Sequence, residues 1–246
     1  MKYISLLLSS LLLLALVGCA GKSSDLAMSS PEPIIQDAMT AFNKGNYITA
    51  LKHFEKITNH FPFSQYSLMA ELKTADCYYH LDRFAEAIAA YQAFEENHPT
   101  NEAVPYTMFQ VGMCHYKRLG TIDRDPASAL DAIAVFTKLV RSFPQSAYID
   151  EAQSRMKAAR NFLANHEMYV ARFYIKTNKL KQAESRLEYL LDMYPDSSVT
   201  AEAEETLAIL KSGKKPHGSW TDWLPELGMP DWETFTSFKQ GAGSGT

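Results

Sequence analysis

The stretch ALKHFEKITNHFP (Ala50–Pro62) sets a small residue, an aromatic four positions later, an apolar residue three later and a closing proline. Spacings of four and three put Ala50, Phe54 and Ile57 on one helix face, and Pro62 cannot continue a helix. The same skeleton returns as AIAAYQAFEENHP (Ala87–Pro99), AIAVFTKLVRSFP (Ala132–Pro144) and AESRLEYLLDMYP (Ala183–Pro195). Its large positions are then Tyr91, Phe136 and Leu187, followed by Phe94, Leu139 and Leu190. Ser64, Asn101, Ser146 and Ser197 follow two residues after each proline, types suited to cap the next helix.

The preceding helix repeats too. Ala38, Ala75 and Gly112 lie 37 residues apart, small residues at one equivalent position. A small residue here, Ala-x3-aromatic in the next helix and a terminal Pro form the tetratricopeptide pattern. The spacing predicts paired helices: 34–44 with 47–60, 66–81 with 84–97, and 103–119 with 126–142. The third pair carries an eight-residue insertion, GTIDRDPA, with Pro126 at a helix start. Beyond Pro144, residues 148–177 read either as two helices, 148–165 and 167–177, or as one long helix, and helices 180–193 and 198–211 follow. Strand alternation is absent. The expected class is all-α, a tetratricopeptide superhelical solenoid of about five helix pairs over 34–211, in which each pair needs neighbours to bury its apolar face.

At the N-terminus, MKYISLLLSSLLLLALVGCA reads as a secretory signal, and Leu16-Val17-Gly18-Cys19 resembles a bacterial lipobox. Residues 1–18 are expected to be removed, Cys19 to carry lipid, and 19–33 to act as linker; several acyl chains suffice for stable anchoring. By resemblance to enterobacterial sorting, the absence of Asp after the cysteine, where Ala20 stands, favours the outer membrane. Cys77 and Cys114 occupy equivalent positions in consecutive repeats. Packed helices sit roughly 8–10 Å apart, whereas a disulfide needs Cα atoms about 4.4–6.8 Å apart, so two separate buried thiols are expected. With net charge −4 and no basic cluster beyond Lys214-Lys215, the chain has no nucleic-acid footprint.

No Gly-x-Ser-x-Gly elbow, dinucleotide fingerprint or paired-carboxylate arrangement is present, and the seven histidines lack partners at metal-ligand spacing. The expectation is a protein that is not an enzyme, with no cofactor and no metal. The 37-residue period does align Phe42, Tyr79 and Tyr116 in one row. Two readings stay open: an aromatic ladder facing a groove, or packing between repeats. The candidate peptide groove comprises Phe42, Asp76, Tyr79, His80 and Tyr116. The tail 212–246 carries Trp220, Trp223, Trp232, Phe235 and Phe238 among Gly, Pro and Ser, and is expected to dock on a partner or fold back on the repeats.

Three stretches carry a more specific likeness. RDPASALDAIAVFTKLVRSFPQSAY (Arg124–Tyr148), GNYITALKHFEKITNHFPFSQYS (Gly45–Ser67) and NKLKQAESRLEYLLDMYPDS (Asn178–Ser197) resemble repeats of the BamD lipoprotein family, also called ComL or YfiO. The likeness covers about 33–211 and includes the lipobox; the aromatic tail departs from the family. The resemblance implies an outer-membrane assembly factor whose N-terminal repeats receive the C-terminal strand signal of β-barrel precursors. Its C-terminal repeats would hold a periplasmic domain of the barrel protein BamA, with other assembly lipoproteins as further partners. It also implies that Arg186, in SRLE, contacts BamA; the alternative is a solvated arginine paired with a glutamate along its own helix. The alternative function is another periplasmic tetratricopeptide lipoprotein acting as a cell-envelope adaptor.

Overall fold

The computed structural model describes residues 30–214 and Pro216. Cys19, the expected signal over 1–18 and the five aromatic residues of the tail lie outside the described residues. Nine helices run through the described chain: α1 (Glu32–Asn43), α2 (Tyr47–His60), α3 (Ser67–His80), α4 (Phe84–Asn97), α5 (Val104–Lys117), α6 (Ala127–Ser142), α7 (Ile149–Lys176), α8 (Leu180–Met193) and α9 (Thr200–Lys211). There is no strand among the described residues. The helices form the hairpins of a tetratricopeptide-repeat fold.

The chain divides into two compact units. One holds residues up to Lys117 together with Lys138–Tyr148; the other holds Arg118–Thr137 together with the chain from Ile149 onward. In the first, each of α1 to α5 packs on its neighbour in sequence; in the second, α7, α8 and α9 do the same. The repeated alanines explain the close fit. Ala50, Ala87, Ala132 and Ala183 have no exposed surface, nor have Phe54, Tyr91, Phe136 and Leu187 four residues on. A methyl group leaves room for the neighbouring helix, and each large side chain fills the space beside it, worth about 1.5–3 kcal/mol per fully buried side chain. Ala38, Ala75 and Gly112 are buried in the partner helices.

Each proline does more than stop a helix. Phe61, His98, Phe143 and Tyr194 end their helices by donating their N–H to the residue four back, and their carbonyls accept from Ser64, Asn101, Ser146 and Ser197 at 3.0–3.1 Å. This makes four equivalent β-turns with Pro at the second position, where its fixed φ is already correct. The expected capping role of the four polar residues is corrected here. Each stands three residues before the first helical residue, and no side chain caps α3 or α9. Asn101 and Ser146 instead accept from Ala103 N–H and Tyr148 N–H inside the turn, at 2.8 and 3.3 Å.

Of the two readings of residues 148–177, the structure has the single helix. Residues 149–176 form α7, whose buried stripe (Ala152, Ala159, Leu163, Ala164, Met168, Ala171) passes residue 166 without interruption. No Gly or Pro lies between Pro144 and Pro195, and Asn165 donates to the carbonyl of Asn161 one turn back, so its amide bonds onto the helix. Cys77 and Cys114 are separate buried thiols, and burial holds the Cys77 thiol up at about 12.

Within hairpins the turns are tight. Gly45, Asp82 and Asn178 have φ of 74°, 57° and 59°. At each, the residue's own N–H and that of the next residue close back on the preceding helix, for example Gly45 to Phe42 O and Asn46 to Ala41 O, both at 2.9 Å. This is a Schellman closure, in which a left-handed residue is obligatory. A Cβ built on Gly45 meets nothing within 4 Å, so its only cost is backbone conformation. Gly45→Ala should therefore lower stability by about 1–2 kcal/mol. Asp82→Gly should leave it unchanged or raise it by up to about 1 kcal/mol. Urea midpoints of the full chain measure both, and a neutral Gly45→Ala would contradict the assignment.

Candidate functional site

In the first unit, α1, α3 and α5 carry the candidate row. Phe42, near the end of α1, is half-buried against the core. Its ring lies edge-on to Tyr47, Phe54 and His80, with centroids at 5.3, 6.3 and 5.8 Å. His80 is exposed and stacks on Tyr47, at 4.4 Å and 7° between planes. Tyr79 is half-buried and sets its edge to His80 at 5.7 Å and to Phe84 at 5.9 Å. Phe42 and His80 thus come together around Tyr47, a residue the row argument misses because it opens the second helix of its pair, and Tyr79 joins them through His80. Tyr116 is half-buried on α5, one period beyond Tyr79.

Asp76 takes a different place from the one expected. It is 2% exposed, and its carboxylate accepts from Lys73 Nζ at 2.7 Å, from Tyr91 Oη–H at 2.7 Å and from Tyr106 Oη–H at 2.8 Å. It therefore sits beneath the surface and positions other side chains. Lys73 Nζ also lies 4.6 Å above the Phe42 ring, a cation–π distance. One ion pair joins two aromatic groups: Phe42, Tyr47, Tyr79 and His80 on one side, Tyr91, Tyr106, Tyr148 and Phe109 on the other. Burial, and next the adjacent Asp76 charge, hold the Tyr91 and Tyr106 hydroxyls well above the usual phenol range. Both stay protonated and donate.

In the second unit, Arg186 on α8 is about half exposed, and its Nη1 lies 3.1 Å from Oε2 of Glu167 on α7. The glutamate comes from the facing helix, not from helical spacing along α8. Tyr189 and Met193, three and seven residues on, are 43% and 50% exposed and extend the same face. Met193 also edges a cleft of about 1060 Å³ between α7 (Met156, Lys157, Arg160) and the turn at Tyr194-Pro195. Burial pushes the Tyr194 hydroxyl up to about 12. Nothing in the repeat spacing points to this cleft. Among the described residues, no group of three or more His, Cys, Asp or Glu is placed to hold a metal ion.

The buried carboxylate yields a direct test. Asp76→Ala leaves two phenol hydroxyls and an ammonium without their acceptor and should cost roughly 3–5 kcal/mol. Asp76→Asn keeps an acceptor oxygen and should cost less. Urea unfolding of the full-length variants decides it; a loss below about 1 kcal/mol for the alanine variant would mean that the tyrosines do not depend on Asp76.

Comparison with known proteins places this geometry in a family. Residues 28–218 match the model of YfiO, described as an outer membrane lipoprotein. The outer membrane protein assembly factor BamD of Vibrio cholerae serotype O1 is 30% identical over 216 residues, covering 83% of this chain and 89% of that protein. The BamD of Neisseria gonorrhoeae is 31% identical over 209 residues, covering 80% and 77%. Among solved structures, a thermophilic TPR protein of Thermus thermophilus aligns over 74% of this chain and 100% of that one, at 15% identity and a TM-score of 0.40. From the family match and the lengths shared with the two BamD proteins, the chain belongs to the YfiO, or BamD, family of outer membrane lipoproteins.

Proposed function

We propose that this chain is a non-enzymatic scaffold of outer-membrane β-barrel assembly, anchored by lipid on Cys19. In this reading the face formed by Phe42, Tyr47, Tyr79, His80 and Tyr116 receives the C-terminal strand signal of barrel precursors. The face of α8 around Arg186 holds the periplasmic domain of BamA. The observation that carries the reading is the half-exposed aromatic face of the first unit, in a chain whose relatives are named outer membrane protein assembly factors. A barrel strand alternates apolar and polar residues and ends in an aromatic girdle. Aromatic rings edge-on to one another offer it apolar area, and beside them the part-buried Lys73 is neutralised by the buried Asp76. On α8, Arg, Tyr and Met are residue types enriched in interfaces. In the Arg186–Glu167 pair the guanidinium is about half exposed, and its remaining N–H donors can meet a partner.

Two measurements test the reading. A peptide copying the aromatic-ended last strand of a barrel precursor should bind the full chain at least about tenfold more weakly after combined Tyr79→Ala and Tyr116→Ala, equivalent to about 1.4 kcal/mol. Unchanged binding by the folded double variant would remove those residues from the site. Affinity purification from solubilised membranes should recover BamA with the parent chain and several-fold less with Arg186→Glu. Recovery that ignores the substitution would remove Arg186 from the contact, and a parent chain that recovers no BamA but cell-wall enzymes would instead mark an envelope adaptor.

A further inference from the structure

Phe63 is fully exposed, at 101% of its reference area, on the tip of the first proline turn. Leu68 and Met69 at the start of α3 are also exposed, at 38% and 37%. Single exposed apolar residues are ordinary, but this one stands in an unusual stretch. Residues 60–70, HFPFSQYSLMA, contain no Lys, Arg, Asp or Glu. The turn is rigid: Tyr66 packs against the core, and the Ser64 and Ser67 N–H groups close on Phe61 O and Ser64 O. Phe63 is therefore held out from the body by the same bonds that shape the turn.

The place of the tip in the chain suggests what covers it. α1 and α2 are antiparallel, joined by the tight turn at Gly45, so the turn after α2 lies at the same end as Pro31, where α1 begins. Eleven residues lie between Cys19 and Pro31, a reach of at most about 43 Å when extended. We infer that the Phe63 turn is a membrane-docking tip, which enters the headgroup layer of the bilayer to which an acylated Cys19 tethers the chain. The inference rests on the lipid-anchor reading above. A tether of this length makes the second contact intramolecular, so a small apolar tip is enough to hold one orientation. An uncharged turn with aromatic side chains matches the chemistry of the bilayer interface, and it has no acidic group to repel anionic lipid. Membrane contact would orient the first unit with the Gly45 turn away from the bilayer by the length of α2, about 21 Å.

The test uses the full mature chain in vesicles of phosphatidylethanolamine and phosphatidylglycerol containing brominated lipid. Phe63→Trp adds an indole at the tip; Lys44→Trp adds one at the exposed opposite end; the parent supplies the emission of the native tryptophans for subtraction. The mass of each protein reports acylation. With acylated chain, the indole at position 63 should lose at least about half of its emission and the one at position 44 almost none. Equal quenching at both positions on acylated chain overturns the docking tip while leaving the anchor standing. A mass without acyl groups sinks the anchor and the tip with it. An indole at position 63 that ignores brominated lipid but shifts to the blue on adding solubilised BamA is a protein contact and also overturns the inference. Circular dichroism confirms folding, which substitution of a fully exposed side chain does not threaten.

Discussion

Everything in this structure depends on how closely two helices can approach at four alanines. Ala50, Ala87, Ala132 and Ala183 are wholly buried, and at each the large side chain four residues on is wholly buried too. A larger residue at the alanine would meet the neighbouring helix, and in close-packed interiors even one added methylene is felt. Because the alanine and the proline keep a fixed separation, each hairpin ends in the same β-turn, and the next helix starts in the same relation to it. Aromatic side chains one period apart therefore meet comparable surroundings. The half-exposed face of the first unit is a by-product of packing that serves the core first.

That face is not built from apolar contact alone. A buried carboxylate is normally a liability, because desolvating a charge costs several kcal/mol unless it is paired and hydrogen-bonded. Asp76 meets both conditions with one lysine and two tyrosines drawn from three helices, α3, α4 and α5. The network ties consecutive repeats together by direction-specific bonds, where apolar packing would tolerate a slip. Lys73 connects it to Phe42 on α1, so one polar centre reaches every first helix of the unit. In the second unit the ion pairs between helices include Arg186 with Glu167, Arg172 with Glu202 and Lys211 with Glu188. The last two are exposed on both sides, and such pairs contribute at most about 1 kcal/mol; the second unit's core is apolar, built on Leu187, Leu190, Met168 and their neighbours.

Much of this is legible in the residues. Spacings of three and four with a terminal proline locate α2, α4 and α8 closely, because helix faces and helix ends are local properties. Within the long α7 the repeat pattern calls for a turn, yet no Gly or Pro supplies one, and the helix runs on. Asp76 falls among the groove candidates for a similar reason: period arithmetic assigns a residue to a helix and a repeat but says nothing of whether it points outward. Its bonds to Tyr91 and Tyr106 span 15 and 30 positions, and Tyr47 joins His80 from the other helix of its pair. Such contacts follow from packing between hairpins and have no signature within one repeat. The cleft beside Tyr194 is hidden for the same reason.

The central claim is that repetition gathers ligand-facing aromatic side chains on the first helices of the pairs in the first unit. Hydrogen exchange of the full chain, with and without a peptide of an aromatic-ended barrel strand, tests it most directly. The account predicts slowed exchange at the C-terminal turns of α1 and α3, around Phe42 and Tyr79, and along α5 near Tyr116. The middles of α2 and α4, already buried by their own packing, should not change. Slowing confined to α8 and α9, or spread evenly over both helices of every pair, would contradict it.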